Sequence, residues 1–274
     1  MAVINTNISA LKAANASTSA DKALGTAMER LSSGKRINSA KDDAAGLAIA
    51  TKMTSDIRAM SQGIRNANDG ISLAQTTEGA LNEVSNMLQR VRELAVQSKS
   101  GTYSATDRGY MDVEVDQLQT QITDILANTK FNGVAVFSTT SGTDVTFGIA
   151  TGGASTDTVT LTSKGIDGTK LSATALDVTS ATLAATTITN VDAALDGINA
   201  TRAALGAGQN RLESVVNNLT TNSTNLSDAR SRIQDADYSA ETTALAKAQI
   251  LSQASTAMIS QANQSQQNVL SLLR

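Results

Sequence analysis

The chain has 274 residues, 41% of them apolar but only 2% aromatic, with no His, Cys, Pro or Trp and a net charge of −3. Without His or Cys, imidazole bases, thiolate nucleophiles, zinc–thiolate sites and disulfides are excluded, and a weakly negative chain without a basic run lacks the electrostatic footprint of a nucleic-acid binder. A core of Ala, Leu, Ile, Val and Met suits long, closely packed helices, and a chain lacking Pro and Cys has no slow X-Pro isomers or disulfides to settle if it travels unfolded.

The opening "MAVINTNISALKAAN" has no basic leader and no continuous apolar stretch, so it does not read as a Sec-type signal. No stretch approaches the roughly 20 apolar residues of a membrane span, so no membrane insertion is predicted. Ile4, Ile8 and Leu11, then Leu24, Met28 and Leu31, fall at helical steps of three and four, with a weaker stripe between. Gly34 is placed to cap this helix. Ser39 with Asp42 three residues on predicts a capping box, and Asp43 adds favourable charge to the next first turn. The charges of "KRINSAKDD" therefore read as a balanced bend between helices in preference to a phosphate or metal site. Met53, Ile57, Met60, Ile64, Ala67, Ile71 and Ala74 then keep heptad steps, continuing through Leu81, Val84, Leu88, Val91 and Leu94/Ala95. After "SKSGTYS", Ser104 or Thr106 can cap a further helix carrying Met111, Val115, Leu118, Ile122 and Ile125.

Asn132-Gly133 is a strong turn signal, and the composition changes beyond it. Residues 138–187 are rich in Thr, Ser and Gly, with short alternations at Val145, Phe147, Ile149 and at Val159, Leu161. These predict small hairpins with a loose core. Helix returns with Val191, Ile198, Leu205, Leu212, Leu219, Leu226 and Ile233 at a strict period of seven. The companion seam, which includes Arg202, Gln209 and Arg230, is half polar and so does not make a plain dimeric zipper. "QDADYSAE" interrupts, and a last helix carries Leu245, Leu251, Met258, Ala262, Val269, Leu270, Leu272 and Leu273.

The order predicts a mainly α protein: a long antiparallel helical bundle or coiled-coil rod with its terminal helices paired and a small β-rich insert at the tip. The expected segments are 1–43 (N-terminal helix and linker), 44–137 (first part of the rod), 138–187 (insert), 188–234 (second part of the rod) and 235–274 (linker and C-terminal helix). Stripes diluted by Ala, Ser, Asn and Gln bury little against a backbone entropy of about 1–2 kcal/mol per residue. Residues 1–33 and 240–274 are therefore expected to be disordered in a single chain and to order when many copies pair.

Several segments resemble bacterial flagellin. They are Asn5-Thr6-Asn7, "LSSGKRINSAKDDAAGLAIA" (31–50), "DGISLAQTTEGAL" (69–81), "LQRVRELAVQ" (88–97), "ARSRIQDADYSAE" (229–241) and the ending "SQANQSQQNVLSLLR". Ser265 stands where many family members carry Pro. The resemblance implies a subunit exported unfolded by the flagellar type III system that self-assembles into the filament, the helical propeller of swimming, outside the cell. It implies no catalytic residue, cofactor or metal. Its partners would be many copies of itself, an export chaperone on about 235–274, the filament cap and hook-associated proteins. Terminal assembly would fall to Ile4, Ile8, Leu11, Leu251, Met258, Val269, Leu270, Leu272 and Leu273. A host Toll-like receptor would meet Gln89, Arg90, Leu94 and Glu114, a face that also serves subunit packing; an Arg beside an apolar anchor suits an interface hot spot. A hook-associated junction protein and a helical signalling-bundle protein are the alternatives; the first generally has a larger middle region and the second a membrane span.

Overall fold

The computed structural model describes residues 6–152 and 157–271, with side chains to residue 267. Five long helices dominate: α1 (Ile8–Ser33), α2 (Ala44–Lys99), α3 (Ala105–Asn128), α4 (Ala181–Gln234) and α5 (Tyr238–Ser271). Two antiparallel hairpins, β1 (Lys130–Phe131) with β2 (Val134–Ala135) and β3 (Val145–Ala150) with β4 (Thr158–Ser163), lie between α3 and α4. The chain divides into two compact units, Met1–Ser55 with Thr224–Arg274, and Asp56–Ser223.

Helix ends follow local chemistry. Gly34, at φ 69°, ends α1 in the left-handed conformation that costs glycine nothing. α2 starts one turn later than the expected box: the Asp43 carboxylate accepts from the Gly46 amide at 2.8 Å and caps it. Ser39 and Asp42 close a separate turn instead, in which one Asp42 oxygen accepts from the amides of Asn38 and Ser39. Those two donors, Ser39 ahead of Asn38, hold the Asp42 carboxyl below its ordinary range. Ser104, not Thr106, caps α3, in a reciprocal capping box with Asp107. Asn132 and Gly133, at φ 50° and 82°, form the tight turn between β1 and β2.

In the larger unit, α2, α3 and α4 share one core with Leu81, Val84, Leu88, Val91, Met111, Val115, Ile122, Val191, Ile198, Leu205 and Leu212. Arg92 pairs with Asp192 at 2.8 Å and Glu78 with Arg202 at 3.5 Å, so residue numbers rise along α4 as they fall along α2. The helices are antiparallel. Arg90–Glu114 and the Arg108 side chain on the Ser98 carbonyl give α3 the same relation to α2.

The insert differs from expectation in two respects. It does not sit beyond the helix ends, because β3 and β4 lie against the helix flanks. A Cβ on Gly63 would come within 2.2 Å of the Thr151 carbonyl oxygen, and one on Gly208 within 2.3 Å of Leu161. The segment after β4 returns along α3 until Val178 receives the Ser98 hydroxyl on its carbonyl and donates its amide to Asp112. Nor is the core loose. Val159, Leu161, Ile166, Leu171, Leu176 and Val178 are buried in the same cluster as the helices. Hairpins too small to enclose a core of their own place their apolar face on an existing one.

In the smaller unit, α1 and α5 pair antiparallel. Asn7 donates to the Ala262 carbonyl, Ser252 to Asp21, and Arg30 meets Glu241. The terminal segments are thus paired helices, as the order of elements predicts. Their facing stripes are small (Ala20, Ala27, Ala248 and Ser255 are the buried members), which lets the helix axes approach closely.

Candidate assembly and partner surfaces

The fully buried positions between α1 and α5 are small residues, with Leu24, Leu31, Leu245 and Ile259 half-buried, while a further set of large apolar side chains points away. Ile8 and Leu11 on α1 are 50% and 60% exposed, and Leu251 and Met258 on α5 are 47% and 62% exposed. Met28 and Ile250, absent from the sequence-based set, belong to the same outward group. Their signal was available: each falls out of phase with the small-residue heptad that the partner helix covers. Ile4, Leu272 and Leu273 lie outside the described residues, and Val269 and Leu270 fall where side chains are not described.

The linkers at the inner ends of these helices are tied to each other. Lys35 and Asp235 form an antiparallel bridge. The Arg36 amide donates to the Gln234 carbonyl and the Ala236 amide to the Gly34 carbonyl. The Arg36 guanidinium donates to the Ile233 carbonyl at 2.7 Å and lies 3.9 Å from Asp43, while the Tyr238 hydroxyl reaches the Leu31 carbonyl. Cations near exposed helix C-terminal carbonyls satisfy orphan acceptors and the helix dipole together.

Along α4, Val191, Ile198, Leu205 and Leu212 are fully buried, whereas Leu219, Leu226 and Ile233 are half-buried. The third layer of the larger unit ends near Gly208 and Leu212, where β3 and β4 cross, and Leu219 lies beyond it.

The second predicted surface splits. Arg90 is half-exposed and bridges Glu114 at 2.8 Å and Glu93 at 3.1 Å. The hydrogen bond it donates to Glu114, then that to Glu93, raises its already high pKa. Gln89 is exposed and lines an open groove with Arg92, Glu93, Val96 and Gln97. Leu94 is only 3% exposed and belongs to the core with Val91 and Ala95. It therefore supports this face from beneath, since a buried heptad position points into the core. The apolar side chains that do face solvent here are Val96, Tyr110 and Val113, all off the heptad seams. Among the described residues, no group of three or more acidic, His or Cys side chains is placed to hold a metal ion, and no helix is long and apolar enough to cross a membrane.

Residues 4–142 match the family model of the bacterial flagellin N-terminal helical region, and residues 188–273 match that of the C-terminal helical region. A flagellin of Xenorhabdus nematophila is 42% identical, with 99% of this chain aligned to 99% of that one. Flagellin FlaB1 of Treponema pallidum is 40% identical over 99% of this chain and 100% of its own length. Among solved structures, Bacillus cereus flagellin has 36% identity and a TM-score of 0.48, covering 61% of this chain and 94% of that one.

Proposed function

This chain belongs to the bacterial flagellin family and is a structural subunit of the extracellular flagellar filament, not an enzyme, and from that premise we propose that the outward faces of α1 and α5 are the surfaces through which copies pack together. One observation carries the proposal: Ile8, Leu11, Met28, Ile250, Leu251 and Met258 are large, apolar and about half or more exposed on one helix pair. A subunit left alone would keep this apolar area in water, and apolar area removed from water is worth roughly 25 cal/mol per Å². Chains lacking 1–33 and 240–274 should not pellet with short filament seeds, whereas the intact chain should; elongation by the truncated chain would refute the assignment.

Finer partners follow from the same premise. Export in an unfolded state through the flagellar type III system suits a chain with no Pro and no Cys. An export chaperone would bind 235–274 before assembly, and the filament cap and hook-associated proteins would meet the ends of the polymer. The α2–α3 face of Gln89, Arg90, Glu93 and Glu114 would serve neighbouring subunits and a host Toll-like receptor. Its support is an exposed, preorganised Arg–Glu network beside the exposed Val96 and Val113. The segment boundaries that suit these roles are 1–43 and 235–274 for the paired terminal helices, 44–137 and 188–234 for the long helices, and 138–187 for the insert.

A further inference from the structure

The stripe on which α1 meets α5 repeats itself. Ala13, Ala20 and Ala27 recur every seven residues on α1, and Ala248, Ser255 and Ala262 do so on α5, all of them buried or half-buried. Sliding one helix past the other by a heptad sets the members of this stripe against small residues again, so the stripe itself distinguishes one register poorly from the next, and only the half-buried Leu24, Leu31, Leu245 and Ile259 beside it change apolar partners. Polar contacts do distinguish them. Glu241 occupies the heptad position before Ala248, and its carboxylate lies 3.7 Å from the Arg30 guanidinium, with side chains 14% and 30% exposed. The Arg30 Nε is buried without a hydrogen-bond partner among the described residues. A slide one way puts Arg30 opposite Ala248 and carries Glu241 past the end of α1. A slide the other way puts Glu241 beside Ala23 and carries Arg30 past the start of α5. Either leaves two partly buried charges unpaired, which is costly. Arg36 closes the same end, since its contact with the Ile233 carbonyl and the Lys35–Asp235 bridge break if α1 moves.

The register has a consequence for the outward face. Asn7 meets the Ala262 carbonyl, so four residues further along α1 and four back along α5, Leu11 and Met258 come level, both exposed. A slide of one heptad separates them by about 10 Å along the axis. We propose that Arg30, Glu241 and Arg36 are the residues that set the register of the α1–α5 pair, and with it which apolar side chains are presented together to the next copy of the chain. They are positioning residues: they act on the outward patch without belonging to it.

The proposal rests on α1–α5 being the assembly surface, and the two can fail separately. Filaments formed by the truncated chain overturn the assembly surface and leave the register of the full chain to be measured. The chain has no cysteine, so Lys12→Cys with Lys247→Cys, both exposed and offset by about 15 Å along the pair, carries two spin labels without background. Labelled chains are diluted into filaments of unlabelled chains and the label separation is measured by pulsed dipolar spectroscopy. One distance is expected with Arg30, Arg36 and Glu241 intact. The Arg30→Ala/Arg36→Ala double variant should add a population displaced by about 10 Å, one heptad of rise. The exchange Arg30→Glu with Glu241→Arg should return a single distance although it opposes the dipoles of both helices; a pair that only stabilised its helices would make this exchange the worst variant. An unshifted single distance in the double variant, or an exchange no better than Arg30→Glu alone, overturns the proposal. For any variant that does not enter filaments the same labels are read on the free chain: a displaced population there supports the proposal, and an unshifted distance overturns it.

Discussion

Arg90 and Leu94 stand one helical turn apart and have opposite environments, which decides what each substitution tests. Leu94 is core, so Leu94→Ala should cost about 2–5 kcal/mol, seen as a lower urea midpoint of the whole larger unit. Arg90→Ala should leave that midpoint nearly unchanged and instead lower signalling through the host receptor; equal loss of stability in both variants would refute the distinction. Ser163 is 1% exposed and its hydroxyl has no partner among the described residues. Removing an unsatisfied buried hydroxyl relieves its desolvation, so Ser163→Ala should be neutral or stabilising by about 1 kcal/mol in the same measurement. Asp112 is pushed up, first by burial and then by the charges of Asp177 and Asp116, against the opposing hydrogen bond from the Val178 amide. A carboxyl whose folded pKa is raised binds its proton more tightly when folded, so the shift weakens the fold at neutral pH and ceases to do so below the unfolded carboxyl range. Asp112→Asn keeps the acceptor for Val178, and its urea midpoint should exceed that of the unsubstituted chain at pH 7, with the difference shrinking as pH falls to about 4.

At the scale of elements, heptad spacing and burial agree where a third layer exists and part where it ends. Along α2 the heptad positions from Ala67 to Ala95 are buried except Ile71, which is half-buried, as are Met60 and Ile64. The β3–β4 hairpin occupies this flank through a close approach at Gly63, where a Cβ would meet backbone. Backbone cannot rotate away as a side chain can. Gly63→Ala should therefore destabilise the larger unit by up to about 2 kcal/mol, overpacking of about 1–3 kcal/mol less the helix-propensity gain of about 1 kcal/mol. Thermal unfolding followed by circular dichroism checks it: an unchanged or higher midpoint would mean that the hairpin shifts freely. In α5 the apolar letters suggested a stripe through Leu251 and Met258, but the face covered by α1 is the small-residue heptad through Ala248 and Ser255. Large side chains are the more visible pattern in a sequence, and here Ile250, Leu251 and Met258 mark what is left uncovered.

At the scale of the molecule, the buried core is concentrated between Ala67 and Leu212, and the smaller unit buries few large side chains. Removing 1–33 and 240–274 should abolish polymerisation while a cooperative thermal transition of the remaining helices persists; its disappearance would show that the terminal helices belong to the core of the single chain. The sequence by itself determined the helix-rich class, the strict α4 seam, the β-rich insert, the turn at Asn132-Gly133 and the family, because periodicity, caps and turn residues are local and long motifs are specific. Only the tertiary structure decided that Leu94 faces inward, that the insert lies on the helix flanks, that Leu219 outruns its cover and that α1 and α5 bury their small residues most deeply. Each of those depends on which neighbour covers which face, and a period of seven gives the face of a helix without saying what, if anything, lies against it.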